Sequence, residues 1–418
     1  MKIDFLKTID LDEAIAMVQY ETDNQKDQKT IFHEVALEDA LGMTVYEEVI
    51  APSNLPAFNR STVDGYALRS KDTNGASESI PAILSIMGEV TMGNPVTMKI
   101  NECTAIYVPT GGMLPDGADG MVMIEDTEKI DEATVLIYRP ARIGDYISYI
   151  GDDVKEGDCL IEAGKKITAY DIALLAGMGF ANIKVVKKPV FTVLSTGDEI
   201  VDLHESCDVG QVRDINGYGV SAWIREKGGS IYRQEIIKDE VQALKEALKE
   251  ALELSDAVIL SGGSSMGYRD YTKEIIESFD DGKVLIHGLA IKPGKPSIVG
   301  KIKGKMVFGL PGHPVSALMV CQHIVGAFMD HWFGRKRKKL MVQAISHENI
   351  HGAAGRDMYQ MVKLKEQDGE MLAIPIYGKS GLITTLAHAS GWFKIGKTVE
   401  GVVAGDRVDV ELLQEVRF

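Results

Sequence analysis

Between Pro189 and Trp332 the chain alternates short apolar runs with amphipathic ones. Val190 to Leu194 is apolar and β-branched, Ile231 to Ile237 partly alternates, and Ala257 to Leu260 and Met306 to Leu310 are apolar again; each predicts a strand. Between them, Val220 to Glu226, Tyr271 to Phe279 and the long apolar stretch Val315 to Phe333 predict helices. In Asp239 to Leu254 the residues Val241, Leu244, Leu248 and Leu252 fall on one helical face. Strand and helix in alternation predict a doubly wound α/β domain with a parallel sheet, which binds ligands at the carboxyl ends of its strands.

The flanking regions have another texture. Leu11 to Gln19 and Glu34 to Tyr46 predict helices, whereas Pro52 to about Arg139 is rich in Gly, Pro and short β-type runs such as Ala105 to Pro109 and Met121 to Ile124. Short glycine-spaced pieces follow, then a helix at Ala169 to Gly177 and a strand at Ile183 to Val186. Beyond the basic run Arg335 to Lys339, short alternating runs such as Met341 to Ile345, Met358 to Leu364, Met371 to Pro375 and Val408 to Leu412 predict a small β-barrel or sandwich. The expected organisation is a discontinuous N-terminal domain (1–51 and 142–187), a β-rich insertion (52–141), the α/β domain (188–334) and the C-terminal barrel (335–418). A length of 418 residues is too great for one core and suits about three or four domains.

Charge narrows the ligands. With 45 Lys and Arg against 61 Asp and Glu the net charge is −16, so the chain as a whole repels nucleic-acid backbones, and any anion needs a dedicated local site. Arg335 to Lys339 reads as a solvated linker in preference to a nucleic-acid patch. Four scattered cysteines give neither a disulfide framework nor zinc spacing. There is no signal-peptide core, and Gln322, His323 and Asp330 interrupt the richest apolar stretch, so a cytoplasmic protein is expected, with neither membrane nor nucleic acid as partner.

Four loops after predicted strands carry candidate chemistry. Ser195-Thr196-Gly197-Asp198-Glu199 offers hydroxyls and amides for phosphate and carboxylates for a divalent metal, or a plain helix cap. Ser261-Gly262-Gly263-Ser264-Ser265-Met266-Gly267 allows close backbone approach to an anion but matches neither Walker A nor GxGxxG. Lys292-Pro293-Gly294-Lys295-Pro296 holds two lysines three apart on a proline-stiffened loop, a site for an oxyanion or an exposed basic turn. Gly309-Leu310-Pro311-Gly312-His313-Pro314-Val315-Ser316 joins a strand end to a helix start whose first-turn amides favour an anion. Outside this domain, Asn54 to Tyr66 ends in an Asp64-Gly65 turn signal. Together the loops suggest phosphate, oxyanion and Mg2+.

These loops, with Asp64-Gly65-Tyr66 and Pro109-Thr110-Gly111, resemble the MoeA family, the molybdopterin molybdenumtransferases, related to the E domains of gephyrin and of the plant molybdenum insertase. The resemblance runs from about residue 10 to the C-terminus. It implies a homodimer of four-domain subunits whose α/β domain is similar to the adenylyltransferase acting one step earlier. The implied reaction takes adenylylated molybdopterin and molybdate to molybdenum cofactor and AMP, with Mg2+. Partners implied are that adenylyltransferase and apo-molybdoenzymes.

By the resemblance, Glu199, Asp214 and Asp270 match cleft carboxylates, catalytic and metal-holding, and Lys292, Lys295 and Ser316 match molybdate-binding groups. Ser380 matches a hydroxyl closing that pocket from the last domain, and Asp64, Thr110 and Asp153 match positions facing the partner subunit's cleft. Ser195, Thr196, Gly197, Ser261, Gly262, Gly263, Ser264, Pro296, Gly312 and Arg356 complete the substrate-binding candidates. His313 stands where the family often has Asn, and Met361 where it usually has a second Arg. Either Arg356 substitutes, or the oxyanion is held more loosely. The rival functions are nucleotide transfer onto molybdopterin and a non-catalytic carrier or scaffold.

Overall fold

In a computed structural model of the chain, the described residues are 7–26, 31–262, 268–336 and 339–413, with the backbone alone at 268–270. Two compact units form, one of Met1–Glu34, Gly164–Lys166 and Lys184–Phe418, the other of Val35–Ala163 and Ile167–Ile183.

The first unit contains the α/β domain. Its six-stranded sheet runs in the order Ser230–Ile237, Val190–Thr196, Ala257–Gly262, Lys305–Leu310, Ile298–Ile302, Lys283–His287. The first four are parallel, as the alternating pattern predicts. Ala257–Gly262 is buried at every position, which explains its unbroken apolar run. The last two strands are antiparallel, so the sheet is mixed rather than wholly parallel. Their sequence signal is a tight hairpin: Lys303 and Gly304 both have positive φ, at 49° and 74°, joining Ile298–Ile302 to Lys305–Leu310.

Helix Val241–Leu254 buries Leu244, Ala247, Leu248, Ala251 and Leu252, the apolar face of its sequence. The long apolar helix is three pieces in one run, Pro314–Val320, a π turn at Cys321–Val325, and Gly326–Trp332. Phe328 makes edge contacts with Phe191 and Phe308, at centroid distances of 5.7 and 5.8 Å, which lock this helix to the sheet. Helix Leu11–Lys26 also packs on this helix, with Gln25 Nε2 donating to the Asp256 carbonyl at 2.6 Å.

The C-terminal strands close a barrel. Asp357–Gln367, Glu370–Pro375, Met341–Ser346, Arg407–Leu412 and Gly391–Ile395 pair in ring order, with Asp357–Gln367 also pairing Gly391–Ile395. Val362, Phe393, Ile395 and Val410 fill it. A sixth strand comes from outside the barrel: Ile291–Lys292 pairs in parallel with Asp357 and Met358.

The second unit is built on a six-stranded curled sheet ordered Gly120–Met123, Gly65–Leu68, Thr104–Val108, Ala82–Glu89, Thr134–Ile137, Thr127–Asp131. Both faces carry apolar clusters, one around Leu68, Leu84 and Val135 and one around Ile106, Val108 and Met121. A Cβ on Gly65 would lie 2.0 Å from the Val122 carbonyl oxygen, so neighbouring strands close only over glycine. Helix Ala169–Gly177 starts at a reciprocal Thr168–Asp171 capping box.

The helix expected over Glu34 to Tyr46 does not form. Phe32–Ala36 is a strand paired with Asn182–Val186, followed by a single 3-10 turn at Leu37–Asp39. The Leu37 amide donates to the Ala181 carbonyl at 2.9 Å. Main-chain groups committed to a distant partner cannot also serve an i to i−4 ladder, so pairing overrides the local helical pattern.

Candidate functional site

A cleft of about 840 Å³ lies in the first unit, walled on one side by the loops after Lys283–His287 and Lys305–Leu310 and on the other by the barrel. Lys292, Lys295, His313, His351, Arg356 and Lys379 line it, and among its described lining residues there is no Asp or Glu. In a chain of net charge −16 that is a local inversion of sign. A recess with cations and no carboxylate among its described lining residues suits an anion, since that lining does not neutralise their charge.

The lysine loop is held by its main chain. Lys292 ends the two-residue strand paired with Met358, and the Asp357 amide donates to the Ala290 carbonyl at 2.9 Å. The Lys295 carbonyl accepts from the amides of Leu289 and Ser297, each at 3.0 Å, and Ser297 Oγ donates to the Gly294 carbonyl at 2.7 Å. Gly294 has φ +112° and sits so close to Val320 that a Cβ would approach its methyl to 2.7 Å. Both lysines therefore project from a rigid turn, which limits the entropy lost on binding.

Opposite them, Pro314 opens a helix whose third residue, Ser316, is buried in the cleft wall. The Val315 amide donates to the Ser380 carbonyl at 3.1 Å, and Ser380 Oγ lies 2.8 Å from His313 Nδ1. The barrel loop carrying Ser380 is thus fixed to the start of that helix. Arg356 and Pro296 line the same cleft. Met361 is a buried part of its wall, strand-paired opposite Trp392.

A second group of candidates gathers where the first and third parallel strands end. Crossovers leave Val190–Thr196 towards one side of the sheet and reach Ala257–Gly262 on the other, which makes their carboxyl ends a switch point. There Ser195 Oγ, Thr196 Oγ1, Asp214 Oδ2 and Asn216 Oδ1 are buried with no hydrogen-bond partner among the described residues. Asp214 caps helix Ile215–Glu226 with its other oxygen, Oδ1, accepting from the Gly217 amide at 2.7 Å. Leaving such groups unpaired costs roughly 1–3 kcal/mol each, a debt that a polar ligand or water removes. Asn216 links the two groups of candidates, since its Nδ2 donates to Ser261 Oγ at 2.8 Å and to the Gly312 carbonyl at 2.9 Å. Asn216 and Thr272, whose buried Oγ1 is also unpaired, were not expected from sequence. The legible signal was an Asn two residues after the capping Asp214.

Glu199 is exposed beside Gly197, whose φ of +153° and contact with the Glu199 carboxylate leave no room for a side chain. Asp239 faces the same loop, and its carboxyl is pushed above the ordinary range by burial and then by Asp198 and Glu199. Among the described residues no group of three or more His, Cys, Asp or Glu side chains converges as a metal site. The Asp270 side chain, Gly263 and Ser264 lie outside the described residues, and Gly262 closes its strand in full burial.

Asp64, Thr110 and Asp153 belong to the second unit. Asp64 Oδ1 accepts from the Thr110 amide at 2.8 Å, so these two form one exposed structure. The Asp153 amide donates to the Leu55 carbonyl at 3.1 Å, in a separate loop.

Fold and site together define a multidomain α/β protein with a cation-lined cleft against a small barrel. Comparison with known proteins is consistent along the chain. Residues 9–179 match the MoeA N-terminal region (domains I and II), residues 192–331 a probable molybdopterin binding domain, and residues 343–413 the MoeA C-terminal region (domain IV). A putative molybdopterin biosynthesis protein of Methanocaldococcus jannaschii is 34% identical over 93% of this chain and 94% of its own. The molybdopterin molybdenumtransferase of Bacillus subtilis is 30% identical, over 97% and 94%. The crystal structure of a molybdopterin biosynthesis MoeA protein from Pyrococcus horikosii superposes with a TM-score of 0.84 at 35% identity, covering 98% of this chain and all of the other. The chain belongs to the MoeA family.

Proposed function

We propose that the chain inserts molybdenum from molybdate into adenylylated molybdopterin and releases AMP. A role in molybdenum cofactor biosynthesis and the class of transferase come with its family and its curated relatives' names. The observation that carries the reaction is a cleft that bears Lys292, Lys295, Arg356 and Lys379, with no Asp or Glu among its described lining residues, in an acidic chain. A tetrahedral dianion needs such compensation to approach a dithiolene.

In this reading the cations hold molybdate while the two dithiol sulfurs bind molybdenum and their two protons leave with one oxo group as water, with no change of oxidation state. The unpaired Ser195, Thr196, Asp214 and Asn216 at the switch point bind the pterin and nucleotide. Hydrolysis of the adenylate bond then frees AMP. Asn216 keeps the two subsites in register through Ser261 and Gly312. Hard carboxylate oxygens suit Mg2+, and the buried, unpaired Asp214 Oδ2 is a fitting donor; Asp214, Glu199 and Asp270 would hold the ion, which would neutralise phosphate charge. The protein is further proposed to work in the cytoplasm as a homodimer, receiving substrate from the adenylyltransferase and passing cofactor to apo-molybdoenzymes. The Asp64–Thr110 pair and Asp153 would then serve the substrate of the partner subunit. Among the described residues no helix is long and apolar enough to cross a membrane.

The test is incubation of the purified protein with adenylylated molybdopterin, Mg2+ and molybdate or tungstate, following AMP and metal retained on the pterin. Oxyanion-dependent AMP release with retained metal is expected. Equal release without oxyanion, or consumption of ATP, would overturn insertion in favour of another nucleotide chemistry.

A further inference from the structure

Thr272 is the fifth residue of the helix Tyr268–Glu277 and lines the cleft, yet it is only 1% exposed. Its Oγ1 has no hydrogen-bond partner among the described residues, and no other described lining residue carries a buried polar side-chain atom in that state. A threonine inside a helix ordinarily satisfies its hydroxyl on a carbonyl of the preceding turn. Thr272 does not.

The methyl of the side chain shows why the hydroxyl stays where it is. A Cβ on Gly309 would lie 3.2 Å from Thr272 Cγ2 and 3.2 Å from Ile298 Cβ, so the methyl is seated against these two positions. Ile298 and Gly309 are register partners in the sheet. Ile298 opens the strand that follows the Lys292–Pro296 loop, and the partner strand ends at Leu310, just before the turn that leads to Ser316. Thr272 therefore stands at the common root of the two loops that bring Lys292, Lys295 and Ser316 to the cleft. Ile298, Gly309 and Leu310 give this end of the lining no polar side chain, and in such a setting a hydrogen bond to a charged acceptor is strengthened.

We infer that Thr272 is a further binding residue of the cleft, donating its hydroxyl proton to an oxygen of the inorganic oxyanion; this rests on the oxyanion reading of the cleft. The oxyanion offers acceptors, and the Thr272 hydroxyl is a donor with no acceptor among the described residues to compete for it. Lysine supplies charge with little direction, whereas a hydroxyl on a seated, β-branched side chain supplies direction. Until the ligand arrives, a buried hydroxyl without a partner destabilises the protein. Stability and binding thus pull in opposite directions at this position. At a threonine whose hydroxyl is structural, its removal harms both.

The experiment is calorimetric titration of tungstate, and separately of AMP, into the full-length protein as wild type, Thr272→Val, Thr272→Ser, Ser221→Ala and Lys295→Ala, with a thermal melt of each free protein. Thr272→Val keeps the branched shape and is expected to raise the melting temperature by about 2 °C or more while weakening tungstate about tenfold and leaving AMP unchanged. Thr272→Ser keeps the hydroxyl and should bind tungstate within about threefold of wild type. Ser221 Oγ is likewise buried and unpaired, but Ser221 is not among the residues lining the cleft, so Ser221→Ala should bind tungstate as wild type does. Wild-type tungstate affinity in Thr272→Val, an equal loss in Thr272→Ser, a comparable loss in Ser221→Ala, or a loss confined to AMP overturns the role of Thr272. So does weaker binding in Thr272→Val accompanied by a lowered melting temperature, the mark of a structural hydroxyl. Absence of tungstate binding in wild type, or undiminished binding in Lys295→Ala, instead removes the oxyanion reading itself.

Discussion

Lys295 gives its carbonyl to two amides and its ammonium to the cleft, so the two roles separate cleanly on mutation. Lys295→Ala is expected to lower tungstate affinity about tenfold or more while the melting temperature stays within about 1 °C of wild type, since a partly exposed cation adds little to stability. Asp214 is the converse case, with one oxygen spent on a helix cap and the other buried and unpaired. Asp214→Asn should keep the fold, gain or hold stability, and lose AMP release by about a hundredfold; a variant both unstable and inactive would make Asp214 merely structural. Asp239 offers a pH test. Its folded pKa is raised by burial and by Asp198 and Glu199, so its contribution is full below the ordinary aspartate value and lost as pH rises through the raised one. Asp239→Asn should therefore flatten the decline of the urea midpoint over that window, and an unchanged profile would place the decline elsewhere.

The lysine loop depends on one backbone conformation. Gly294→Ala asks for a side chain at φ +112° and 2.7 Å from Val320, and is expected to cost about tenfold in tungstate affinity together with a lowered melting temperature. Wild-type affinity in that variant would show that the turn is not what aims Lys292 and Lys295. Such elements differ in how far the sequence betrays them. Val190–Thr196, Val241–Leu254 and Ala257–Gly262 bury an apolar run or an apolar face, and periodicity alone reveals them. The helical pattern of Glu34 to Tyr46 begins within the strand Phe32–Ala36, which forms because its partner, Asn182–Val186, lies far along the chain. The π turn at Cys321–Val325 was invisible because an extra residue in one helical turn leaves a long, mostly apolar stretch looking the same. The cleft shows the same divide. Lys292, Lys295 and Ser316 stand out in loop motifs and do meet, whereas the bridging amide of Asn216 and the buried hydroxyl of Thr272 acquire meaning only when distant loops are brought together.

Across the whole molecule, ligand binding should be felt where the cleft lies. Tungstate at a hundred times its dissociation constant is expected to stabilise the first unit by about 2.7 kcal/mol, seen as a raised calorimetric transition. If two transitions resolve, the one belonging to Val35–Ala163 and Ile167–Ile183 should stay in place; an equal shift of both would mean that the oxyanion binds elsewhere. The pairing of Ile291–Lys292 with Asp357 and Met358 carries a further consequence, for exchange between relatives. A barrel cut out at the basic linker leaves behind the strand that borders it, and with that strand the lysine at its end. A chimaera that transplants residues 340–413 alone would pair a foreign barrel with a native edge and misplace the lysine loop; one that exchanges the stretch from Ala290 to Leu413 would carry the whole anion cradle as a single heritable piece.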